Sequence, residues 1–362
     1  HMSPALHSSA HHIVEPCDLP VSHRHLHITY SSIKHSDKTF MGMTTSPKNA
    51  EDVIDMCEIL FGAEAMEAGA VTTGNINGNS PLVWDETMLG ALRAFTRRNQ
   101  PVLCSPFVLG GANTPASVAP AVAQLNAEAL SALAYTQVVR KGAPAIYGHY
   151  LSTVSMKSGA PMAGTPEISL MNFMIGQLAR FYGVPWRTSG GLGGAKTFDA
   201  QAGYEKAITI ATAALSGANL VAAYPGIVGS LVAQSFEGMV IDNDLIGNVQ
   251  RVLRGVEVTD ATLSYDVIKE TVYGQGHFLG SAQTLELMNS EYLYPELADR
   301  RTPGEWGEMG RKTLYEQAHE RVGKMLADHY PGYIDPDADK RLRDRFPSRL
   351  EPEEMQPGNG RW

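Results

Sequence analysis

The sequence is poor in cysteine and in charged residues. Its cysteines are Cys17, Cys57 and Cys104, which lie 40 and 47 residues apart in a chain of 362. Thiols this few and this widely spaced provide neither a disulfide framework nor a CxxC zinc site, so we expect a reducing, cytoplasmic compartment. Charged residues make up 19% and hydrophobic residues 43% of the chain, a composition typical of a globular protein with a large core.

An excess of basic residues is also absent. Lysine and arginine total 29 against 38 aspartate and glutamate residues, which gives a formal net charge of −9. This balance argues against a nucleic acid or an anionic membrane as the partner, and it is compatible with a cationic small molecule.

Signals for export or membrane insertion are missing as well. The start His1–Met2 resembles the remnant of an expression tag, and no basic stretch followed by an apolar one comes after it. The segment Ala207–Phe236 carries no charge over 30 residues, which is long enough to span a bilayer. Because Ser216, Gly217 and Pro225 interrupt it, the pattern predicts a buried helix, a turn and a buried strand instead.

Most of the chain alternates short apolar strands with longer amphipathic helices. Strands follow one another at intervals of about 30 to 40 residues, the spacing of right-handed βα units. The predicted strands are Phe40–Met43, Ala70–Thr73, Val102–Ser105, Ala145–Gly148, Trp186–Ser189 and Leu220–Tyr224. The predicted helices are Asn49–Leu60, Glu86–Arg97, Ser117–Val139, Ile168–Phe181, Ala200–Leu215 and Phe236–Leu253.

These elements form six βα units, and a seventh is expected near Val256–Gly280. Continuous apolar strands indicate burial on both faces, hence a parallel sheet. A doubly wound sheet and a (β/α)8 barrel both fit, and the number of units and the polar strand ends favour the barrel. We therefore predict an α/β fold of the (β/α)8 TIM-barrel type, with one or two units expected upstream, so that the barrel is incomplete at its N-terminus.

The charge distribution divides the chain into three parts. Residues 299–362 hold 25 charged side chains in 64 positions, or 39%, against 14% for the rest of the chain. We predict a leader over residues 1–24, the barrel over 25–298 and a charged C-terminal helical extension over 299–362. Within this solvated extension we expect a helix from Trp306 to about His329 and irregular chain beyond it, because dipeptides such as Asp335-Pro336 break helices.

A glycine-rich run, Gly190-Gly191-Leu192-Gly193-Gly194-Ala195-Lys196-Thr197, follows one predicted strand. Ala195 stands where a P-loop needs glycine, and Lys196 stands where the dinucleotide fingerprint needs one. The run precedes a helix, so its amides are candidates to bind a carboxylate, and a flexible connection is the alternative. GxSxG and other signatures of nucleophilic hydrolysis do not occur.

The run His23-Arg24-His25-Leu26-His27 is the sharpest candidate for a metal site. On a strand, alternate imidazoles share a face and can converge on a transition ion, as in metal-dependent barrel hydrolases. The later part of the barrel offers His149 and His277 without a second cluster. Since eight of the twelve histidines lie in the first 35 residues, we interpret them as part of a polar, exposed leader and predict no metal site.

Aromatic residues are frequent where predicted strands end. Phe107, Tyr147, Tyr150 and Tyr224 all follow or close a strand, and in a barrel such positions converge on one site. Each aromatic face gives a methylated ammonium about 0.5–2 kcal/mol of cation–π attraction. The alternative is that these rings pack in the core.

Two acidic residues, Glu128 and Glu167, are candidates for a general acid or base. For both residues we favour the interpretation that the carboxylate forms structural hydrogen bonds. Nearby Asn126 lies in the middle of a predicted helix, so we expect its polar groups to have partners if they are buried.

Several segments resemble the trimethylamine methyltransferase family, over a region from about Leu19 to Tyr330. The matching segments are Gln124-Leu125-Asn126-Ala127-Glu128, Arg140-Lys141-Gly142-Ala143-Pro144, Gln177–Pro185, Lys196–Glu205, Ser235–Asp242 and Gly276-His277-Phe278-Leu279. The chain departs from the family pattern at Ser155, where an aspartate is frequent, and at Tyr224, where a histidine is common.

The resemblance implies a (β/α)8 enzyme that moves a methyl group from an amine to the Co(I) of a partner corrinoid protein. All residues here are standard, so the chain resembles the pyrrolysine-free branch, whose substrates include quaternary amines such as glycine betaine. We expect no directly bound cofactor, a cobalamin or other corrinoid carried by the partner, and a homo-oligomer.

On this basis we predict a substrate site without assigning a catalytic acid or base. Its aromatic residues around the cation would be Phe107, Tyr147, Tyr150 and Tyr224. Its carboxylate-binding residues would be Gly190, Gly191, His149 and His277. Two alternatives remain open, a metal-dependent barrel hydrolase and a non-catalytic protein that binds a quaternary amine.

Overall fold

The computed structural model describes residue 6 and residues 15–347. Most of the predicted leader, including His1–Met2, and residues 348–362 of the predicted extension lie outside the described residues. The helices are α1 Val21–His35, α2 Pro47–Phe61, α3 Ala63–Ala68, α4 Glu86–Arg97, α5 Val118–Val139, α6 Pro166–Tyr182, α7 Ala200–Leu215, α8 Phe236–Leu253, α9 Asp260–Leu263, α10 Tyr265–Tyr273, α11 Ala282–Glu291, α12 Pro303–Glu308, α13 Leu314–Asp328 and α14 Pro336–Arg345. The strands are β1 Met41–Gly42, β2 Thr73–Gly78, β3 Val102–Gly110, β4 Ala145–Gly148, β5 Tyr150–Val154, β6 Pro161–Met162, β7 Trp186–Ser189, β8 Leu220–Ala222, β9 Ile227–Val228 and β10 Ala233–Gln234.

Six parallel strand positions follow one another across the sheet in chain order, β1-β2-β3-β4-β7-β8. β5 continues β4 beyond His149, pairs with the second half of β3 and forms an antiparallel hairpin with β6. A doubly wound sheet reverses its strand order at a switch point, whereas a barrel does not. The order therefore confirms the predicted barrel-type α/β fold, as a half-barrel in which β1 and β8 are the edges of the described sheet.

The helices form one layer against the outer face of this sheet. α2, α4, α5, α6, α7 and α8 pack side by side in the order of the chain, as the winding of a barrel requires. The core lies between the layers in two clusters, one around Phe95 and Met56 and the other around Trp186 and Tyr147. Most predicted helices are confirmed within a few residues, because capping side chains such as Asp199 and glycines such as Gly183 define their ends.

Two predictions, one about the position of a strand and one about a further βα unit, are wrong. β2 begins at Thr73, where the predicted strand Ala70–Thr73 ends, because Gln100 binds the preceding backbone at Val71 and Thr72 outside the sheet. The expected seventh βα unit near Val256–Gly280 contains the short helices α9 and α10 instead of a strand.

The uncharged segment from 207 to 236 contains the second half of α7, a turn and β8, in the predicted order, and then the hairpin of β9 and β10. β8 is half-buried, whereas a buried strand was predicted. Among the described residues, no helix combines the length and apolarity that crossing a membrane requires.

The described part of the C-terminal extension contains one more helix than predicted. Instead of irregular structure after His329, α14 begins at Pro336, and the Asp335 side chain caps it by accepting from the Ala338 amide at 2.8 Å. Proline restricts the first turn of a helix least, so the Asp335-Pro336 dipeptide starts a helix here rather than breaking one.

This last helix packs into the barrel core and is not a solvated appendage. Leu342 is 1% and Phe346 is 6% exposed, both in the cluster that α1 and α2 share. Lys34 of α1 forms an ion pair with Asp339 of α14 (Nζ–Oδ2 2.9 Å), and the Tyr30 hydroxyl donates to the same carboxylate. The predicted boundary at residue 24 also falls within a single element, α1.

Replacing Leu342 by alanine is expected to lower the free energy of unfolding by about 2–4 kcal/mol, because it opens a cavity in this cluster. Urea denaturation measures the change. Lys340→Ala, at an exposed position of the same helix, is the control and should cost less than about 0.5 kcal/mol. Equal effects of the two substitutions would show that α14 does not contribute to the core.

Candidate active site

The inner face of the sheet carries the aromatic residues expected at the site. Along β3, Cys104 and Val108 point into the helix layer, so the alternate residues Ser105 and Phe107 point to the inner face. The parallel register places Tyr150 of β5 beside Phe107 on this same face. Their rings stack with centroids 4.6 Å apart and planes 7° apart.

Tyr224 completes a three-ring group with Phe107 and Tyr150. It follows β8 with a φ of 42°, a left-handed conformation uncommon for a residue with a side chain. Tyr150 packs with Ala163 and Leu192, and Phe107 and Tyr224 lie against this small cluster. Burial raises the pKa of Tyr150, so its phenol is neutral at physiological pH. The structure thus brings together three of the four predicted aromatic residues.

Tyr147, the fourth, lies on the other side of the sheet. Its register partner Cys104 faces the helices, and so does the Tyr147 ring, which packs in the core with Trp186. Its hydroxyl donates to Oδ1 of Asn126 at 2.8 Å, and the Asn126 amide donates to Tyr182. Side chains alternate between the two faces of a strand, so Tyr147, in register with the outward-facing Cys104, cannot join the rings on the inner face.

A buried arginine that the sequence analysis missed adjoins the rings. Arg187 in β7 is 4% exposed. Its guanidinium donates from Nη1 to the carbonyl oxygen of His149 at 2.8 Å and from Nη2 to the Tyr224 hydroxyl at 2.7 Å. The guanidinium carbon lies 5.7 Å from the Tyr224 ring centroid.

The charge of Arg187 has no counter-ion among the described residues. No carboxylate there contacts it, and its Nε has no hydrogen-bond partner. Burying a charge without compensation costs several kcal/mol, so an anionic group on a ligand would stabilise Arg187. The sequence did contain a signal for this residue. Arg187 lies inside a strand predicted to be buried on both faces, where charged residues are rare.

Further polar atoms on the inner face lack partners in the described part of the chain. They are Oγ of Ser105, which is fully buried, and Oδ1 of Asn75. Between β3 and β7 lies Gly148, where a Cβ would come within 2.5 Å of Leu103. The absence of a side chain at Gly148, the register partner of Arg187, lets Leu103 pack closely against the backbone.

Four amides of the glycine run are already bound within the protein. Gly190 N donates to Ala222 O at 2.9 Å, and Gly191 N donates to Oγ1 of Thr209 at 3.0 Å. Further along the run, Gly194 N and Ala195 N both donate to one carboxylate oxygen of Glu205, at 2.7 and 3.1 Å. The run therefore binds a carboxylate of the protein itself, and the prediction that Gly190 and Gly191 bind the substrate is not supported.

The two histidines predicted to bind a carboxylate are also placed elsewhere. The His149 ring stacks on Trp186 with centroids 6.1 Å apart, and neither ring nitrogen has a hydrogen-bond partner in the described chain. Burial, with the nearby charge of Arg187, lowers the pKa of His149 to about 3, so the ring is neutral. His277 is exposed on the connection between α10 and α11, and the structure does not bring it to the ring group.

Glu128 and Glu167 take structural positions, as favoured from the sequence. The Glu128 carboxylate accepts from Oγ of Ser80 at 2.6 Å and from Leu82 N at 2.8 Å, which fixes the loop after β2. Glu167 is exposed in the first turn of α6.

The histidine run lies on a helix, not on a strand, and is not an exposed leader. Residues 23–27 belong to α1, where His25 and His27 are 3% and 6% exposed. Nε2 of His25 lies 3.0 Å from a carboxylate oxygen of Asp52. Between residues 15 and 347, no three side chains of His, Cys, Asp or Glu are grouped so as to hold a metal ion.

A buried ion pair holds the two loops that flank the ring group. Nζ of Lys206 lies 2.8 Å from Oδ2 of Asp242, and both side chains are at most 2% exposed. Lys206 also donates to Gly191 O at 2.7 Å, and Asp242 accepts from Gly226 N at 2.7 Å. Burial lowers the pKa of Lys206 and raises that of Asp242, and their mutual contact opposes both shifts. The pair therefore links the ends of β7 and β8, on either side of Tyr224, to α8.

The fold and this site define an α/β protein with a barrel-type sheet whose inner face combines aromatic rings with a buried cation. A family model described as trimethylamine methyltransferase (MTTB) matches residues 1–352, and the chain belongs to this family.

Two relatives illustrate the range of the family. A glycine betaine methyltransferase of Desulfitobacterium hafniense (strain Y51) is 38% identical over 93% of this chain and 70% of its own length. A trimethylamine methyltransferase MttB of Methanosarcina thermophila is 31% identical over 88% of this chain and 68% of its own. Among solved structures, a dihydropteroate synthase of Coxiella burnetii aligns over 64% of this chain and 75% of its own, with 13% identity and a TM-score of 0.37.

Removing one member of the buried ion pair should be more harmful than removing both. Asp242→Leu leaves Lys206 buried without its partner and is expected to cost about 3–5 kcal/mol of unfolding free energy. The double variant Lys206→Met/Asp242→Leu should cost less than Asp242→Leu alone, because no buried charge remains. Chemical denaturation of the wild type, the single variants Lys206→Met and Asp242→Leu and the double variant measures this, and a double variant that loses the sum of two large single effects would contradict the ion-pair assignment.

The buried neutral His149 should make the fold sensitive to acid. Because its pKa in the folded protein lies below the ordinary value of 6.5, the unfolded chain binds the proton first as pH falls. Its contribution to stability is full above about pH 6.5 and declines toward the folded pKa, by about 1.4 kcal/mol per pH unit. Between pH 7.5 and 5.5 we expect His149→Phe, which can still stack on Trp186, to lose about 1 kcal/mol less unfolding free energy than the wild type.

Urea denaturation at the two pH values gives this difference. The control is His277→Phe, at the exposed histidine, which should follow the wild type. A His149→Phe variant with the wild-type loss would show that the imidazole is charged in the folded protein.

Proposed function

We propose that this protein transfers a methyl group from a quaternary methylamine that carries a carboxylate, such as glycine betaine, to the Co(I) of a corrinoid held by a separate protein. Membership of the methyltransferase family and the 38% identity to a glycine betaine methyltransferase support the reaction class. The buried, uncompensated Arg187 is the single observation that supports a substrate with a carboxylate.

Charge balance favours such a zwitterion over a simple methylamine. A carboxylate bound to Arg187 would supply the missing counter-ion, and arginine presents paired donors that match a carboxylate. The ammonium of the same molecule could then lie against the rings without adding to the positive charge of the site. Protonated trimethylamine, which has no anionic group, would place a second positive charge near an unpaired guanidinium.

The ring group suits the other end of the substrate. Phe107 and Tyr150 stack face to face, and Tyr224 lies beside them. An ammonium against such faces gains about 0.5–2 kcal/mol per ring, and more where water is excluded. Tyr224 would serve both ends, since its hydroxyl holds Nη2 of Arg187 in place.

The reaction requires positioning rather than proton transfer. The N–CH3 bond would break with its electron pair remaining on nitrogen, Co(I) would supply the electron pair of the new bond to the methyl group, and the nitrogen of the amine product would be neutral. The residues of this chain would hold that bond in line with the acceptor and exclude water. The corrinoid protein would dock where the parallel strands end, because the ring group lies there.

Replacing Arg187 by methionine, which keeps the length of the side chain without its charge, tests the proposal. Loss of a buried charge-assisted pair costs about 2 kcal/mol or more, so glycine betaine affinity should fall at least about 30-fold. Isothermal titration calorimetry measures the affinity. Trimethylamine should bind the variant no worse than it binds the wild type.

The matched control is Tyr147→Phe, which removes a hydroxyl on the outer face of the same sheet and should leave the betaine affinity unchanged. Arg187→Met with wild-type affinity would refute the carboxylate assignment. Transfer to reduced cobalamin, followed by the change in its absorption spectrum, separates an enzyme from a protein that only binds the amine.

A further inference from the structure

Residues 254–294 form an excursion from the barrel, which we name the arm. It leaves the end of α8, contains α9, α10 and α11, and returns to α8. Arg251 holds the returning end through the carbonyl oxygen of Glu291 (Nε–O 2.9 Å) and its carboxylate (Nη2–Oε2 3.1 Å). Both oxygens of Asp244 accept the backbone amides of Glu296 and Ala298 at 2.9 and 3.1 Å. The base of the arm is therefore fixed to the barrel.

The helices of the arm are well specified but bury almost nothing. Thr259 begins α9 with a capping box, and Ser281 caps α11 by accepting from Thr284 N. In residues 254–294 only Thr271 is buried. Fifteen large apolar side chains of the arm are at least 36% exposed. Helices with local caps and uncovered apolar surface are expected where another molecule completes the packing.

The exposed apolar residues are arranged in helical stripes. In α10, Tyr265, Ile268 and Val272 are spaced i, i+3, i+7 and are 72%, 47% and 64% exposed. In α11, Leu285 and Met288 begin the same spacing and are 60% and 36% exposed. Such a stripe marks the buried face of a helix, yet here it faces solvent.

The apolar area is sufficient for a stable interface. The arm has five aromatic residues that are 45% to 86% exposed. At 150–250 Å² per aromatic side chain they present roughly 500 Å² or more. With the aliphatic residues, the arm exceeds the roughly 800 Å² that each partner contributes to a standard interface.

The composition and position of the arm favour a permanent partner over the corrinoid protein. Interfaces that must dissociate are about as apolar as an ordinary surface, whereas those of homodimers are more apolar. α8 begins beside the ring group, where Ser235 N donates to Gly226 O at 2.9 Å. It then runs 18 residues, or about 27 Å, so the arm starts far from the site that the corrinoid must reach.

We propose that the arm is the self-association surface of this protein and that its apolar stripes pack against a second copy of the chain. A symmetric contact between identical surfaces is the commonest way for such a patch to be covered. The proposal does not depend on the substrate, so it stands or falls separately from the proposed function.

Sedimentation velocity over a range of micromolar concentrations tests the proposal. The wild type should sediment as a dimer or a larger species than the 39.1 kDa chain. Ile268→Glu/Met288→Glu should shift it to the mass of a single chain with an unchanged circular dichroism spectrum. The matched control is Val138→Glu, at an 80% exposed position of α5 outside the arm, which should remain associated.

Hydrogen–deuterium exchange of the wild type keeps the test decisive if the double variant does not fold. Amides of α10 and α11 should exchange faster on dilution, as copies separate, whereas those of α5 should not change. A wild type that is monomeric throughout, including one whose arm is protected only by the corrinoid protein, would overturn the proposal. So would a folded double variant that keeps the wild-type mass.

Discussion

The buried charge of Arg187 is the constraint on which the rest of the site depends. A guanidinium on the inner face of a parallel sheet can be tolerated only when its donors are satisfied and its charge is compensated. The backbone of His149 and the hydroxyl of Tyr224 satisfy two of its groups, but neither supplies negative charge. The missing negative charge favours a ligand that carries an anionic group.

The buried carboxylates that hold the loops at the strand ends have partners other than Arg187. Glu205 is bound by the amides of the glycine run, Asp242 by Lys206, and Glu128 by the loop after β2. Each of these carboxylates thus stabilises another part of the fold. The strand ends are held rigidly by these contacts, which is what a site that works by positioning a substrate requires.

The sequence predicted much of the fold because its signals are local. Apolar periodicity, caps such as Asp199 and terminal glycines such as Gly183 located the helices of the barrel, and strands β4 and β7 were found at their exact limits. The failures occurred where distant residues decide. The histidine run forms part of α1 because α2 and α14 cover it, and α14 is stable because Leu342 enters their shared core.

For the site, the sequence by itself determined the family, the barrel-type order of units and three aromatic residues at strand ends, since these depend on residue types and their spacing. Only the tertiary structure decided which side of the sheet each residue faces. It assigned Tyr147 and His149 to the helix side, gave the glycine run to Glu205 and placed Arg187 beside Tyr224. The physical reason is that register across the sheet, which is set by packing between distant segments, determines which side chains meet.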